Sequence, residues 1–135
     1  MQSIEHKWFT DCLADTTLVE KLKNIALIVT DVDGCLTDGT KAWHCDSSTS
    51  KRFNFLDGMS IRAAQNAGLK VALISGDRTP ITATRAKMLG IPDDLCCLVH
   101  WEEKIPTLQQ IHTNHHLTPA QTLMFGDDTP DLVLK

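Results

Sequence analysis

The sequence predicts an α/β fold, a parallel sheet covered by helices on both faces, and three observations carry that prediction. Short apolar runs rich in β-branched residues recur without the alternation of a half-solvated strand, as strands buried on both faces of a parallel sheet require. Stretches bounded by helix start and stop residues separate them, at the spacing of right-handed crossovers in a three-layer, Rossmann-like sheet. Each run also stops abruptly in polar residues, at the sheet edge where open α/β folds bind ligands.

Residues 4–23 set Trp8, Phe9, Leu13, Leu18 and Leu22 among charges, which suits one or two short helices packed beside the first strand. Asn24 to Thr30 is that strand, with Asp31 at its end. In residues 40–55, Trp43, Cys45, Phe53 and Phe55 flank the turn-forming cluster Asp46-Ser47-Ser48-Thr49-Ser50, predicting a β-hairpin that projects from the sheet end. Asp57-Gly58 closes the hairpin, and Met59 to Ala67 forms a helix stopped by Gly68. Leu69 to Ile74 is a second strand, ending at Ser75-Gly76. Thr79 and Pro80 supply an N-cap and a proline at the first helical position, opening a helix through Met88 that Gly90 terminates. Leu95 to Val99 is a third strand and Trp101 to about His112 a third helix. A fourth strand, Gln121 to Phe125, runs into Gly126-Asp127-Asp128. No repeat, linker or low-complexity segment interrupts the pattern, so a single domain over 1–135 is expected.

Composition narrows the function. With 42% apolar and 22% charged residues and a net charge of −4, the chain has no global basic field for nucleic acid or an anionic membrane, so neither is expected as a partner. Its longest apolar runs are far too short to span a bilayer. The cysteines Cys12, Cys35, Cys45, Cys96 and Cys97 are odd in number and lack C-x-x-C spacing, and they read as buried reduced thiols of a cytoplasmic protein. The first residues are polar, without a signal-peptide apolar region.

Parallel strands bring their carboxyl ends to one edge, so Asp31, Asp33, Ser75, Asp127 and Asp128 can meet there, with Lys104 just inside the third helix. Asp31 and Asp33, spaced i, i+2, point the same way in an extended segment. Several carboxylates sharing a small site require a cation, and oxygen ligands suit a hard divalent ion such as Mg2+. The lysine, the serine hydroxyl and amides near Gly76 are donors for an anion beside that metal, and a phosphate satisfies both demands. Phosphoryl transfer follows as the reaction class. One carboxylate attacks phosphorus while a second protonates the leaving oxygen and later activates water.

Asp31-Val32-Asp33-Gly34, Ser75-Gly76, Lys104 and Gly126-Asp127-Asp128-Thr129-Pro130-Asp131 resemble, in order, the four motifs of the haloacid dehalogenase superfamily. The longer stretch Asp31 to Gly39, with Asp57-Gly58 and Arg85-x-x-x-Leu89-Gly90-Ile91, is similar to its capless branch, typified by 3-deoxy-D-manno-octulosonate 8-phosphate phosphatase, and the resemblance spans residues 24–134. It implies a sheet with a hairpin flap and no cap domain, and a Mg2+-dependent phosphatase of a small phosphorylated metabolite such as a sugar-acid phosphate of lipopolysaccharide biosynthesis. Asp31 would be nucleophile and metal ligand, Asp33 the acid/base with its carbonyl on the metal, and Asp127 the other metal carboxylate. Ser75 and Lys104 would hold the phosphoryl group, with Gly76, Arg78 and Asp57 around the substrate and Asp128 and Asp131 orienting the metal shell and Lys104. The hairpin would build a homotetramer and shield a neighbour's site.

Two departures stand out. Where the branch usually has arginine directly after the second-motif glycine, this chain has Asp77 and then Arg78. It stops at Lys135, where the family continues into a helix, a strand and a tail, so the end is either natural or a truncation. The main alternative is a catalytically weak structural or regulatory homologue; a receiver-like domain phosphorylated on Asp31 ranks last, having no need of Asp33. His112, His115 and His116 would share a helical face if the third helix extends that far, but a solvated or capping cluster is favoured over a metal site. Trp43, Phe53 and Phe55 read as hairpin packing or subunit contacts. Asp38 reads as a turn residue, and Asp57 either lines the pocket or turns the chain.

Overall fold

A computed structural model describes residues 4–128 of the chain. After helices α1 (Ile4–Ala14) and α2 (Thr16–Lys23) come strand β1 (Leu27–Thr30), the hairpin β2 (Ala42–Trp43) and β3 (Thr49–Ser50), helix α3 (Phe55–Asn66) and strand β4 (Lys70–Ser75). Helix α4 (Pro80–Met88), strand β5 (Cys96–Leu98), helix α5 (Lys104–His115) and strand β6 (Thr122–Phe125) complete it. The four long-range strands form one parallel sheet in the order β5-β4-β1-β6, with Thr30 level with Leu73 on one side and Phe125 on the other. The predicted α/β class holds, and among the described residues the hairpin is the insertion between β1 and α3.

Burial explains the unalternating strands. Leu27, Val29, Val71, Ala72, Leu73 and Ile74 are fully or nearly fully buried, and Ile61 of α3, Ala86 of α4, and Leu108 and Ile111 of α5 close over them in one continuous core. Both α3 and α5 pack on β4. Filling both faces of the central strands leaves the carboxyl edge of the sheet as the place where polar side chains can converge.

Several boundaries differ from expectation for local reasons. Helix α3 begins at Phe55, because the Asn54 side chain accepts the Leu56 amide at 2.9 Å and caps it there. Asp57 and Gly58 are therefore inside the helix and not a turn closing the hairpin. Gly58 leaves room there for Arg85, since a Cβ would lie 2.8 Å from Arg85 Nη2 and 3.2 Å from Leu89 Cδ2, and the guanidinium would have to shift. Helix α5 starts with a 3-10 turn at Trp101–Glu103 and continues to His115, ending on His116 with φ 54°. Helices α1 and α2 pack on each other, and Trp8, Phe9, Leu13 and Leu22 remain exposed. The five cysteines are free, but Cys45 is exposed and the others are only half-buried. Among the described residues no helix is long and apolar enough to cross a membrane.

Candidate active site

Strand β1 delivers Asp31 to the sheet edge. Its amide donates to the Phe125 carbonyl at 2.9 Å, extending the β1–β6 ladder by one residue. Its carboxylate is nearly buried: Oδ1 accepts the Val32 amide at 2.7 Å, and Oδ2 lies 3.3 Å from Lys104 Nζ. The Lys104 side chain, at the first residue of α5, is 5% exposed. Pairing of opposite charges offsets part of the cost of taking both groups so far from water.

Beyond Asp31 the chain turns sharply, with the Leu36 and Thr37 amides both donating to the Val32 carbonyl. Gly34 lies in this turn at φ +87°, and a Cβ there would be 1.7 Å from Asp127 Oδ2. The Asp127 carboxylate thus rests against the loop that carries Asp31 and Asp33, in space only a glycine leaves free. Asp33 and Asp31 have different cations: Lys51 Nζ sits 2.6 Å from Asp33 Oδ1 and 2.7 Å from Oδ2, and Thr37 Oγ1 adds a long bond of 3.4 Å.

Strand β4 delivers Ser75, which is almost completely buried and whose Oγ accepts the Asp77 amide at 3.2 Å. A Cβ on Gly76 would meet nothing within 4 Å, so the space beside this turn is open. Asp77 is held by Lys41 Nζ at 2.9 Å, by the Thr79 hydroxyl at 2.7 Å, and by Lys51. Burial alone would raise its pKa, but these hydrogen bonds and the charge of Lys51 hold the carboxyl well below the usual carboxylate range. Burial likewise disfavours the Lys51 ammonium, and its bonds to Asp33 and Asp77 outweigh that and raise its pKa.

Lys41 and Lys51 escaped the sequence reading. The available signal was the hairpin itself. Ala42 pairs with Ser50, so the lysines just outside that pair lie opposite each other at the hairpin base. Only the hairpin's fold back over the sheet edge, which no periodicity encodes, brings them to Asp33 and Asp77.

The remaining predicted residues divide. Asp57 lines a groove of about 500 Å3 with Thr30, Cys35, Leu36, Ile61 and Phe125, and also a neighbouring cavity of about 550 Å3 that reaches Asp38 and Arg52. Asp57 thus lines these cavities from within α3 and does not turn the chain. Asp38 caps its own turn, accepting the Thr40 amide at 3.0 Å and hydroxyl at 2.6 Å. Arg78 and Asp128 are exposed at the same sheet edge, and Asp131 lies outside the described residues. The histidines do not converge: His112 Nε2 is 2.8 Å from Thr122 Oγ1, His115 Nε2 is 3.1 Å from Asp94 Oδ2, and His116 ends the helix. Phe53 packs against the core with the Arg85 guanidinium 5.3 Å from its ring centroid, while Trp43 and Phe55 are exposed. Among the described residues no three His, Cys, Asp or Glu side chains form a metal cluster. A cation between Asp31 and Asp127 would draw further oxygens from the main chain, solvent or a ligand.

Comparison with known proteins follows the same lines. No protein-family model matches the chain. The 3-deoxy-D-manno-octulosonate 8-phosphate phosphatase of Haemophilus influenzae is 34% identical over 113 residues, 84% of this chain and 61% of that protein. The chain therefore spans about three fifths of the length of the curated relatives it matches. The Moraxella catarrhalis phosphatase of the same name, solved with magnesium, phosphate and KDO, superposes with a TM-score of 0.82 at 28% identity, covering 88% of this chain and 67% of that one. A Legionella pneumophila hydrolase assigned to subfamily III A of the haloacid dehalogenase superfamily superposes at 0.84 with 28% identity, covering 93% of this chain and 68% of that one.

Proposed function

The chain is a homologue of the 3-deoxy-D-manno-octulosonate 8-phosphate phosphatases and has the fold of the haloacid dehalogenase superfamily, and from that premise we propose that it is a Mg2+-dependent phosphomonoesterase. The observation that carries the reading is the nearly buried Asp31 carboxylate at the end of β1, paired with Lys104 and faced across Gly34 by Asp127. A nucleophile, a cation and a second carboxylate arrive there from three separate segments of the chain.

Asp31 attacks phosphorus, forming a carboxylate oxygen–phosphorus bond as the bond to the ester oxygen breaks. Asp33 delivers a proton to that departing oxygen, then takes one from the water that cleaves the aspartyl-phosphate, releasing phosphate and restoring Asp31. Lys104 and Ser75 hold the phosphoryl oxygens, with the open turn at Gly76 beside them. Arg78 and Asp57 lie toward the rest of the substrate, and Asp128 and Asp131 orient the metal shell and Lys104.

The donors fit a hard divalent ion: the Asp31 and Asp127 carboxylates and the Asp33 carbonyl are all oxygens, and the cradle that Gly34 leaves for Asp127 keeps the second carboxylate at the loop. When bound, Mg2+ neutralises the carboxylates and the charge on the phosphate.

The substrate proposed is a sugar-acid phosphate such as KDO 8-phosphate, in a single-domain cytoplasmic protein of lipopolysaccharide biosynthesis that assembles as a homotetramer through the hairpin. Exposed Trp43 and Phe55 support that assembly. A catalytically weak homologue is the second reading, favoured by the open groove that leaves Phe125 half-exposed beside the site. Phosphate release from KDO 8-phosphate, from sugar phosphates lacking a carboxylate and from 4-nitrophenyl phosphate, each with Mg2+ and with chelator, decides between them. Mg2+-dependent turnover supports the enzyme, preference for KDO 8-phosphate supports the substrate, and no release from any ester leaves the weak homologue.

A further inference from the structure

We propose that Lys51 is a positioning residue for the proton transfer, gripping both oxygens of Asp33 so that one is presented to the leaving group, with Asp77 and Lys41 anchoring Lys51 and the hairpin base to the sheet edge. The inference rests on the reading of Asp33 as the acid/base.

The geometry is that of a built site. The Lys51 side chain has 0% exposure, and its ammonium meets Asp33 Oδ1 at 2.6 Å, Asp33 Oδ2 at 2.7 Å and Asp77 Oδ2. An ammonium has three N–H groups, so this set uses its full donor capacity. Lys41 and Thr79 take the remaining reach of Asp77, giving a cluster of two cations and two carboxylates with no net charge. A carboxylate held at both oxygens by one fixed ammonium cannot spin about its last torsion. When Asp33 is protonated, Lys51 keeps one oxygen as its acceptor and the other carries the proton. The bond from Thr37, at 3.4 Å, is too long to set that orientation alone.

A plain structural salt bridge and a positioning residue differ in how their loss depends on the leaving group. A good leaving group departs without a proton, whereas a poor one needs the acid. The test measures kcat/KM with Mg2+ over aryl phosphates from 4-nitrophenyl to phenyl and 4-methoxyphenyl phosphate, for wild type, Lys51→Met, Lys51→Arg, Asp33→Asn and Asp33→Asn/Lys51→Met. Lys51→Met is expected to lose about tenfold more on phenyl than on 4-nitrophenyl phosphate, as a displaced general acid would. Asp33→Asn should show the same trend, the double variant should be no steeper than Asp33→Asn, and Lys51→Arg should return toward wild type. Equal loss on every ester, no loss, or a double variant whose slopes add overturns the proposal while leaving an active wild type as a phosphatase. A wild type inactive on every ester overturns the phosphatase reading and this inference with it. If Lys51→Met does not fold, Asp77→Asn is read in the same series. A steeper leaving-group dependence is expected, and an unchanged one overturns the proposal.

Discussion

Replacing Gly34 by alanine perturbs two things at once, and the structure allows them to be separated. The backbone at φ +87° is the left-handed region, where a side chain costs about 1–2 kcal/mol. The new methyl would also lie 1.7 Å from Asp127 Oδ2 and 2.4 Å from its Cγ. Since the carboxylate ends a flexible side chain, it yields before the backbone does, and reaching ordinary contact moves it by roughly 1.5–2 Å. A displacement of about 1 Å at a reacting group can cost on the order of 10²-fold, so at least that loss is expected in kcat/KM, with a higher Mg2+ requirement. Gly39→Ala is the control: its φ is +76°, but its Cβ would approach nothing closer than 3.8 Å. Both variants should lose similar stability in a urea titration, while only Gly34→Ala loses Mg2+-dependent hydrolysis of 4-nitrophenyl phosphate. If Gly34→Ala keeps wild-type Mg2+ dependence and a rate within a few-fold, Asp127 is not a ligand in the way described.

Other substitutions test the fold and the charge cluster. Gly58→Ala gains about 1 kcal/mol of helix propensity, yet it must displace an Arg85 guanidinium held by the Phe53 ring and the Asn54 carbonyl, so a net loss of about 1–2 kcal/mol is expected by chemical denaturation. Ile74→Ala leaves a cavity near the carboxyl end of a strand buried on both faces and should cost about 2–5 kcal/mol in the same measurement. Asp77→Asn should destabilise by about 2 kcal/mol at neutral pH, Asp33 remaining as a partner of Lys51. Because folding lowers the Asp77 pKa from 3.8, its stabilisation is complete above that value and is lost as pH falls through the folded-state value. The gap between wild type and Asp77→Asn in urea midpoint should therefore be full at pH 6 and shrink in strong acid; a gap that widens in acid contradicts the assigned direction.

What the residues disclosed in advance was whatever a local pattern encodes. Asp31, Ser75 and Asp127 were legible because each lies at the end of an apolar run, and a parallel sheet brings such ends together. Lys104 was legible as the opening residue of α5 after the third strand. The start of α3 was misplaced because Asp57-Gly58 has the composition of a turn, and only the Arg85 guanidinium against Gly58 shows why a helix uses glycine there. Lys41, Lys51 and their hold on Asp77 were not legible. Their meeting depends on how the hairpin folds back over the sheet edge, a long-range contact with no period in the sequence. Asp77 looked like a missing arginine, yet it is the anchor of that contact.

The most direct test of the central claim is phosphate release by wild type and Asp31→Asn under identical Mg2+ concentrations, with folding of both checked by thermal denaturation. Wild type should turn over, release should cease when Mg2+ is chelated, and folded Asp31→Asn should fall to background. Turnover that survives in folded Asp31→Asn, or that ignores the chelator, would contradict the account of this site.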